Sequence, residues 1–425
     1  MNSLFWFRRD LRLDDNTALL KAIQRGNPVL TVFIFDDNIT KELDIDDPRI
    51  SFIHDNLLGI DKQLHNYNSS LLILKGNPKS VLEKLVDKYN ISDVYANKDY
   101  EPYALKRDYE IGQSLRRKKI NFITYKDQVI FEENEISKND GHPYTVYTPY
   151  KNKWLSSFKE ILPIEKESEQ NLNYIISNHR IPTLEELGFI RSSIKVKPFN
   201  IEDLDNYSTE RNYPYLHSTS HLSPHLRFGT VSIRELTLKM HATSEILLSE
   251  LIWREFFMQI LYHYPKVVYQ NFKSKYDGII WRNNKDDFEK WCSGNTGFPM
   301  VDAGMRELNN TGYMHNRTRM ITAGFLCKHL LIDWRWGEAY FASKLLDYEL
   351  SSNNGNWQWA AGTGCDAAPY FRIFNPDTQL KKFDKHLIYV KKWIPEYGTS
   401  EYLEPMIDHK IARERALSVY KAGLG

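Results

Sequence analysis

An α/β N-terminal domain built on a doubly wound parallel sheet, followed by an all-α C-terminal domain, is the fold class that this 425-residue chain implies. Three observations point there. Over the first 125 or so residues, short β-branched and aromatic runs alternate with amphipathic stretches, as parallel strands joined by helical crossovers require. From about residue 201 the apolar period becomes helical and strand signals almost vanish. The length, at roughly 100 to 200 residues per domain, calls for two or three domains rather than one core.

Taken in order, the expected strands are Ser3 to Phe7, Val29 to Asp36, Leu71 to Gly76, Asp93 to Asn97 and Asn121 to Lys126. Helical patterns fill the gaps at 15–25, 50–66, 78–89 and 103–118. Ligands of such sheets sit beyond the carboxyl ends of the strands. After the first strand stands Arg8-Arg9-Asp10-Leu11-Arg12 instead of a GxGxxG turn, which argues against a dinucleotide bound in Rossmann fashion. Charged and turn-forming residues dominate 128–200, with Asn139-Asp140-Gly141 as a turn signal and Pro163, Pro182 and Pro198 as breakers. The expected division is therefore 1–127, an interdomain linker at 128–200, and a helical domain at 201–425. Its helical patterns fall at 232–241, 244–263, 300–308, 313–331, 336–350 and 379–393.

Fifty-six basic residues against 55 acidic ones leave a formal charge of +1, so any affinity for nucleic acid must come from a local patch. Cys292, Cys327 and Cys365 are too few and too scattered for a disulfide framework or a CxxC metal site; no metal centre is expected, and the usage fits a reducing cytoplasm. The first residues turn charged too soon for a signal peptide, and no window approaches the roughly 18 apolar residues of a membrane span.

Asn353-Asn354-Gly355-Asn356-Trp357-Gln358-Trp359 puts two indoles and four amides into seven positions. Polarizable, oxidisable rings beside orienting amides suit a planar redox cofactor or stacked bases, with aromatic packing at a helix end as the plainer alternative. Ser218-Thr219-Ser220-His221-Leu222-Ser223, before Pro224, has the composition of a hydroxyl-rich loop opening a helix, which either caps that helix or holds phosphate; Arg254 could add charge there. Glu250, Trp253, Arg254 and Phe257 share a helix face by spacing, and a carboxylate beside an indole needs a partner or a raised pKa. An ordinary salt bridge is the competing explanation for Glu250. In Met314-His315-Asn316-Arg317-Thr318-Arg319-Met320, Asn316 and Met320 face one way, while Arg319 projects sideways within reach of Asp347.

These segments, FRRDLRLDDN, STSHLS, LIWREF, GYMHNRTRM, IDWRWGE and NNGNWQWAAGTGCDAAPYFRIFNP, resemble the cryptochrome/photolyase family in order and spacing over nearly the whole chain. The resemblance is nearest to class I members acting on cyclobutane pyrimidine dimers (CPDs). It implies light-driven DNA repair by a monomeric enzyme whose helical domain binds FAD and whose partner is UV-damaged DNA. Tyr207, Thr219, Ser220, Leu222 and Ser223 would surround the phosphates and sugar with Arg254 nearby. Asp347 and Arg319 would lie by the isoalloxazine, and Asn353 would face its N5.

Trp357, Trp334 and Trp281 match the family's three-tryptophan relay. Glu250, Trp253, Asn316, Arg317, Met320 and Trp359 match positions lining the lesion pocket, with Arg372 at a flanking phosphate. The (6-4) photolyases carry a second histidine directly after the one matched by His315, where this chain has Asn316; the resemblance therefore favours CPD chemistry. Members that bind a folate antenna carry an Asn-Glu pair where Tyr103-Ala104 stand, so a second chromophore, if bound, is expected to be a deazaflavin or flavin. The rival reading is a cryptochrome-like blue-light photoreceptor, and a DASH-type protein acting on single strands is a third.

Overall fold

The computed structural model describes residues 1–158, 172–202, 206–216 and 218–424. Five parallel strands, β1 (Asn2–Phe7), β2 (Val29–Asp36), β3 (Leu72–Gly76), β4 (Ile91–Asn97) and β5 (Asn121–Tyr125), form one sheet in the order β3-β2-β1-β4-β5. The crossovers are α1 (Thr17–Gln24), α2 (Pro48–Leu64), α3 (Pro78–Lys88) and α4 (Pro102–Arg117). Proline at the first turn of α2, α3 and α4 marks each start, and Asn16, Asp47 and Asn77 cap α1, α2 and α3 by accepting from backbone N–H groups.

Both faces of the sheet are covered, as a parallel sheet requires. Phe5, Phe7, Phe33 and Phe35 pack with Leu19, Leu57 and Ile60 on one side. Leu4, Trp6, Val32 and Ile34 pack with Leu82, Val86, Ile111 and Leu115 on the other. The expected linker does not behave as one. Val29 N donates to Asn173 O at 2.8 Å, Ile175 N donates to Val29 O at 2.9 Å, and Leu184, Leu187 and Phe189 join the phenylalanine-lined core. Apolar residues scattered among charges gave no period to read, yet they complete a sheet face. A further helix, α5 (Tyr147–Phe158), also lies in this stretch, while Pro163 and the rest of 159–171 lie outside the described residues.

The chain divides into two compact units. The first comprises Met1–Gly141, Lys151–Val196 and Ser223–Glu255; the second comprises His142–Tyr150, Lys197–Leu222 and Phe256–Gly425. Neither the boundary at 127 nor that at 201 coincides with this division. A long helix, α6 (Glu245–His263), contributes Glu255 to the first unit and Phe256 to the second.

The second unit is helical; its main apolar core includes Trp291, Trp334 and Trp357, and a smaller cluster gathers Tyr276, Ile279, Leu331, Ala416 and Tyr420. Its main helices are α7 (Pro299–Thr311), α8 (Asn316–Gly324), α9 (Trp334–Lys344), α10 (Leu350–Ala361) and α11 (His409–Gly423). The pattern expected at 313–331 begins only at Asn316, because His315 adopts extended backbone and its ring caps the helix. That helix ends in a π-helical turn, Phe325–His329. The pattern at 336–350 breaks at Leu345, after which Leu346 N donates to Gly312 O at 3.0 Å. The pattern at 379–393 splits because the Asp384 carboxylate accepts from the backbone N–H groups of Ile388, Tyr389 and Val390.

Candidate functional site

Helix α10 carries the amide-rich heptapeptide, and its amides do not all share one task. Asn354 Nδ2 donates to Val267 O at 2.9 Å; Gln358 Nε2 donates to the same oxygen at 3.0 Å and to Gln270 O at 3.3 Å. Gln358 Oε1 accepts from Phe272 N at 2.8 Å. These two buried amides therefore hold the loop 267–272 against the helix. Asn353 instead points its Nδ2 at Glu338, donating to the backbone O at 3.1 Å and to Oε1 at 2.9 Å. Burial raises the Glu338 pKa. With its donor end so engaged, Asn353 presents its carbonyl oxygen as an acceptor.

Trp357 and Trp359 lie on opposite sides of α10, since two residues correspond to about 200° of helix. Trp357 is buried against Phe341, with ring centroids 4.9 Å apart, and Trp291, at 6.1 Å. It also lies against Gly337, where a Cβ would come within 2.1 Å of its ring. Trp359 stays half-buried on the other side. Gly355 allows a similar approach by Phe257, whose ring would meet an added Cβ at 2.2 Å.

Helix α8 supplies the charged part. Arg319 donates through Nη2 to both oxygens of Asp347, at 2.9 and 3.2 Å, and through Nε to Met314 O at 2.8 Å. The guanidinium is thereby locked in place. Arg317 donates to Asn212 Oδ1 at 2.5 Å and lies over Phe383 at 4.3 Å. Its pKa is lowered by burial and by the like charges of Arg211 and Arg372, so these three cations share one electropositive region. Sequence reading found Arg317 and Arg372 but missed Arg211, Asn212 and Phe383, which no motif flags.

His315 Nδ1 accepts from Arg317 N at 3.1 Å, which places the imidazole hydrogen on the buried Nε2. Burial, then the charges of Arg317, Arg319 and Arg211, press its pKa down to about 4. His315 is therefore neutral near pH 7. Asn316 is exposed and Met320 half-buried, the latter accepting from Arg317 Nη1 at 3.8 Å.

The hydroxyl-rich loop lies mostly in the second unit. Ser220 and Leu222 are buried, Ser220 O accepts from Asn200 N at 2.9 Å, and His221 adopts a left-handed φ of 51° with its ring against Tyr313. Thr219 is half-buried, and Tyr207 is buried at the head of a short helix. Ser218 Oγ is buried without a partner among the described residues.

Ser223, Glu250, Trp253 and Arg254 belong to the first unit. Glu250, Trp253 and Arg254 are half-buried on α6, and Arg254 Nη1 donates to Gln128 O at 2.8 Å. The fully buried acid of this helix is its neighbour Glu255, which accepts from Ile130 N, Phe131 N and Trp154 Nε1. Burial raises its pKa to about 7. At the carboxyl end of β4, Asn97 Nδ2 donates to Asp10 Oδ2 at 2.6 Å and to Asn16 Oδ1 at 2.8 Å, which ties the ends of β1 and β4 and the start of α1 together.

Trp334 is buried, and its Nε1 donates to Asn271 Oδ1 at 2.9 Å. Trp281 is half-buried against Tyr420 at 5.9 Å. Hydrogen bonds tie the segments carrying these two rings together: Arg282 N donates to the backbone Leu331 O at 2.7 Å, and Asp333 N donates to the side-chain Asn283 Oδ1 at 2.9 Å. Accessibility thus rises from Trp357 and Trp334 to Trp281.

Residues 3–169 match the family described as DNA photolyase, and residues 247–400 match the FAD binding domain of DNA photolyase. A deoxyribodipyrimidine photo-lyase of Halobacterium salinarum is 34% identical, the match spanning 99% of each chain. An archaeal photolyase from Sulfolobus tokodaii, solved with two FAD molecules, superposes with a TM-score of 0.88 at 33% identity, over 99% of this chain and 100% of the other. A cryptochrome from Synechocystis superposes with a TM-score of 0.85 at 25% identity, over 98% and 99% of the two chains. No helix among the described residues is long and apolar enough to cross a membrane. A parallel-sheet unit, a helical unit with paired indoles and oriented amides, and matches spanning the whole chain lead to one conclusion: the chain belongs to the photolyase/cryptochrome family and carries its FAD-binding domain.

Proposed function

We propose that this protein is a light-dependent DNA repair enzyme, a deoxyribodipyrimidine photo-lyase acting on cyclobutane pyrimidine dimers. The observation that carries this reading is the Asn353–Glu338 pair. A fully reduced flavin bears a hydrogen on N5, and an amide whose donor end is already engaged by Glu338 offers that N–H an oxygen. The helical unit suits the cofactor in other respects: Arg319, fixed by Asp347, gives the anionic ring a charge partner, and Ser218 Oγ leaves an unsatisfied hydroxyl beside the Thr219–Leu222 loop. We assign the nucleotide portion to Tyr207, Thr219, Ser220, Leu222, Ser223 and Arg254. When bound and excited, reduced FAD supplies one electron to the substrate and recovers it after the two bonds between the bases have opened.

The chain's own residues bind and orient the lesion. Arg317, with Arg211 and Arg372, forms a cationic patch for phosphates flanking a distorted site; such contacts position DNA without reading its sequence. Trp359 offers a stacking wall, worth about 1 to 3 kcal/mol per stacked base. Asn316 and Met320 line the same approach, while Glu250 and Trp253 keep the lesion contacts that the resemblance implies. Photolyases are a familiar example of enzymes that act on an extruded base, and a dimer with damaged pairing is the cheaper one to extrude. Because His315 is neutral and Asn316 follows it, no imidazolium stands ready as a proton donor. Opening a cyclobutane requires none. We further assign Trp357, Trp334 and Trp281 to a relay that refills an oxidised flavin with electrons.

A second chromophore belongs to this reading as a flavin or deazaflavin. At the folate-associated position, Tyr103 donates to Asp36 Oδ2 at 2.6 Å and lies beside Arg107, and Ala104 brings no carboxylate. The likeness to a cryptochrome keeps a photoreceptor as the competing reading. Illuminating the reduced protein with oligonucleotides carrying either a CPD or a (6-4) adduct decides between them. Loss of the CPD with retention of the (6-4) adduct is expected; retention of both supports the photoreceptor, and loss of the (6-4) adduct contradicts the role given to His315 and Asn316.

A further inference from the structure

Asn271 belongs to no motif that sequence reading singled out, yet it is 3% exposed and touches the middle indole of the relay. Its orientation is unambiguous on chemical grounds. The indole N–H of Trp334 can only donate, so Asn271 turns its oxygen toward it at 2.9 Å; the Asp277 carboxylate can only accept, so the amide nitrogen faces it at 2.7 Å. The result is a directed chain, Trp334 Nε1–H to Asn271 to Asp277. The loop that bears Asn271 is held to α10 by Asn354 and Gln358, which makes the contact part of the fold rather than a surface accident.

An indole that loses an electron becomes a much stronger acid at its ring nitrogen. Where water or a carboxylate touches that nitrogen, the proton leaves, and the resulting neutral radical holds the hole because refilling it then needs a proton as well as an electron. An amide oxygen is far too weak a base to take the proton, but it still stabilises the positive ring by hydrogen bonding. Trp334 is 1% exposed, so water is kept away too. Trp281, half-buried, lacks that protection.

Building on the relay assignment above, we propose that Asn271 is a positioning residue that keeps the proton on oxidised Trp334, so that the hole moves on to Trp281 and the proton is released only there. The balance is simple. Trp334 gives one electron to oxidised Trp357, which an excited flavin has oxidised, and keeps its N–H. Trp281 gives one electron to Trp334, loses its own proton to water, and is restored by an external thiol.

The test uses the full-length, flavin-loaded protein and flash spectroscopy that separates protonated from deprotonated indole radicals. Resonance Raman of the indole N–H in the dark gives an independent readout of the hydrogen bond. Exchanging the two partners, Asn271→Asp with Asp277→Asn, keeps the hydrogen-bond chain and the net charge but puts a carboxylate on the indole. In that variant a deprotonated Trp334 radical should form and the Trp281 radical should fall to a minority of the flash yield. Asn271→His, which also offers a base while donating to Asp277, should act the same way if the exchange fails to fold. An unchanged Trp281 yield in a variant whose dark N–H band shows the bond intact overturns the proposal. Trp334→Phe controls for the relay itself: a Trp281 radical surviving there defeats the relay and the inference together, whereas its loss there with no effect of the exchange defeats the inference alone.

Discussion

A single side chain can set a redox preference by which of its ends is left over. Asn353 has one donor end and one acceptor end, and Glu338 occupies the donor end. What the sequence offered was an asparagine in a motif; what the fold adds is the direction of its amide. That direction was illegible because Glu338 lies on another helix, and the same holds for Asn271 and Trp334. The Arg319–Asp347 pair, by contrast, could be anticipated from helical spacing, and it forms. Buried histidines give a residue-scale prediction. His329 is fully buried, bonds through Nε2 to His409 Nδ1 at 2.8 Å, and has its pKa lowered from 6.5 to about 3 by burial and the charges of His409 and Arg415. Between those values the unfolded chain binds a proton that the folded chain does not, so stability is complete above about pH 6.5 and declines as pH falls. Near pH 5.5 the loss from this group is about 1 kcal/mol. Thermal melts from pH 7 to 5.5 should show a decline that His329→Gln makes shallower; an equal decline in both proteins assigns the acid sensitivity elsewhere.

Helices α9 and α10 meet at a glycine, and this contact fixes where Trp357 lies. At Gly337 an added methyl would sit 2.1 Å from the Trp357 ring and 2.6 Å from Leu326, leaving it no space. Gly337→Ala should lower stability by roughly 1 to 3 kcal/mol, as overpacking does, and disturb Trp357, the inner indole of the proposed relay. A calorimetric melt together with the flash yield checks both effects; an unshifted melt means that the helices separate freely and the contact positions nothing. Elements of the sheet were legible because β-branched runs and turn residues repeat. The helical half was less so: α10 went unseen because it is amphipathic in neither the usual sense nor the usual residues, burying amides beside indoles. Breaks at Leu345 and Asp384 were hidden as well, since a tertiary backbone bond and a carboxylate capping three N–H groups end those helices.

For the molecule as a whole, the family and its two-part architecture were readable from motifs in order, while the partition of the chain was not. Residues 172–189 pack into the sheet unit through scattered apolar side chains, and Ser223–Glu255 joins that unit although its helical period resembles that of the later helices. Compactness depends on contacts distant in sequence, which periodicity does not report. The central claim is that reduced FAD in the helical unit opens the dimer by lending an electron and taking it back. The direct measurement is to illuminate anaerobic, fully reduced protein with excess CPD-containing DNA, counting restored bases while following the flavin absorbance. Many dimers restored per protein, with the flavin still fully reduced and none restored in the dark, is the predicted result. Dimers left intact, or one flavin oxidised for each dimer opened, would contradict it.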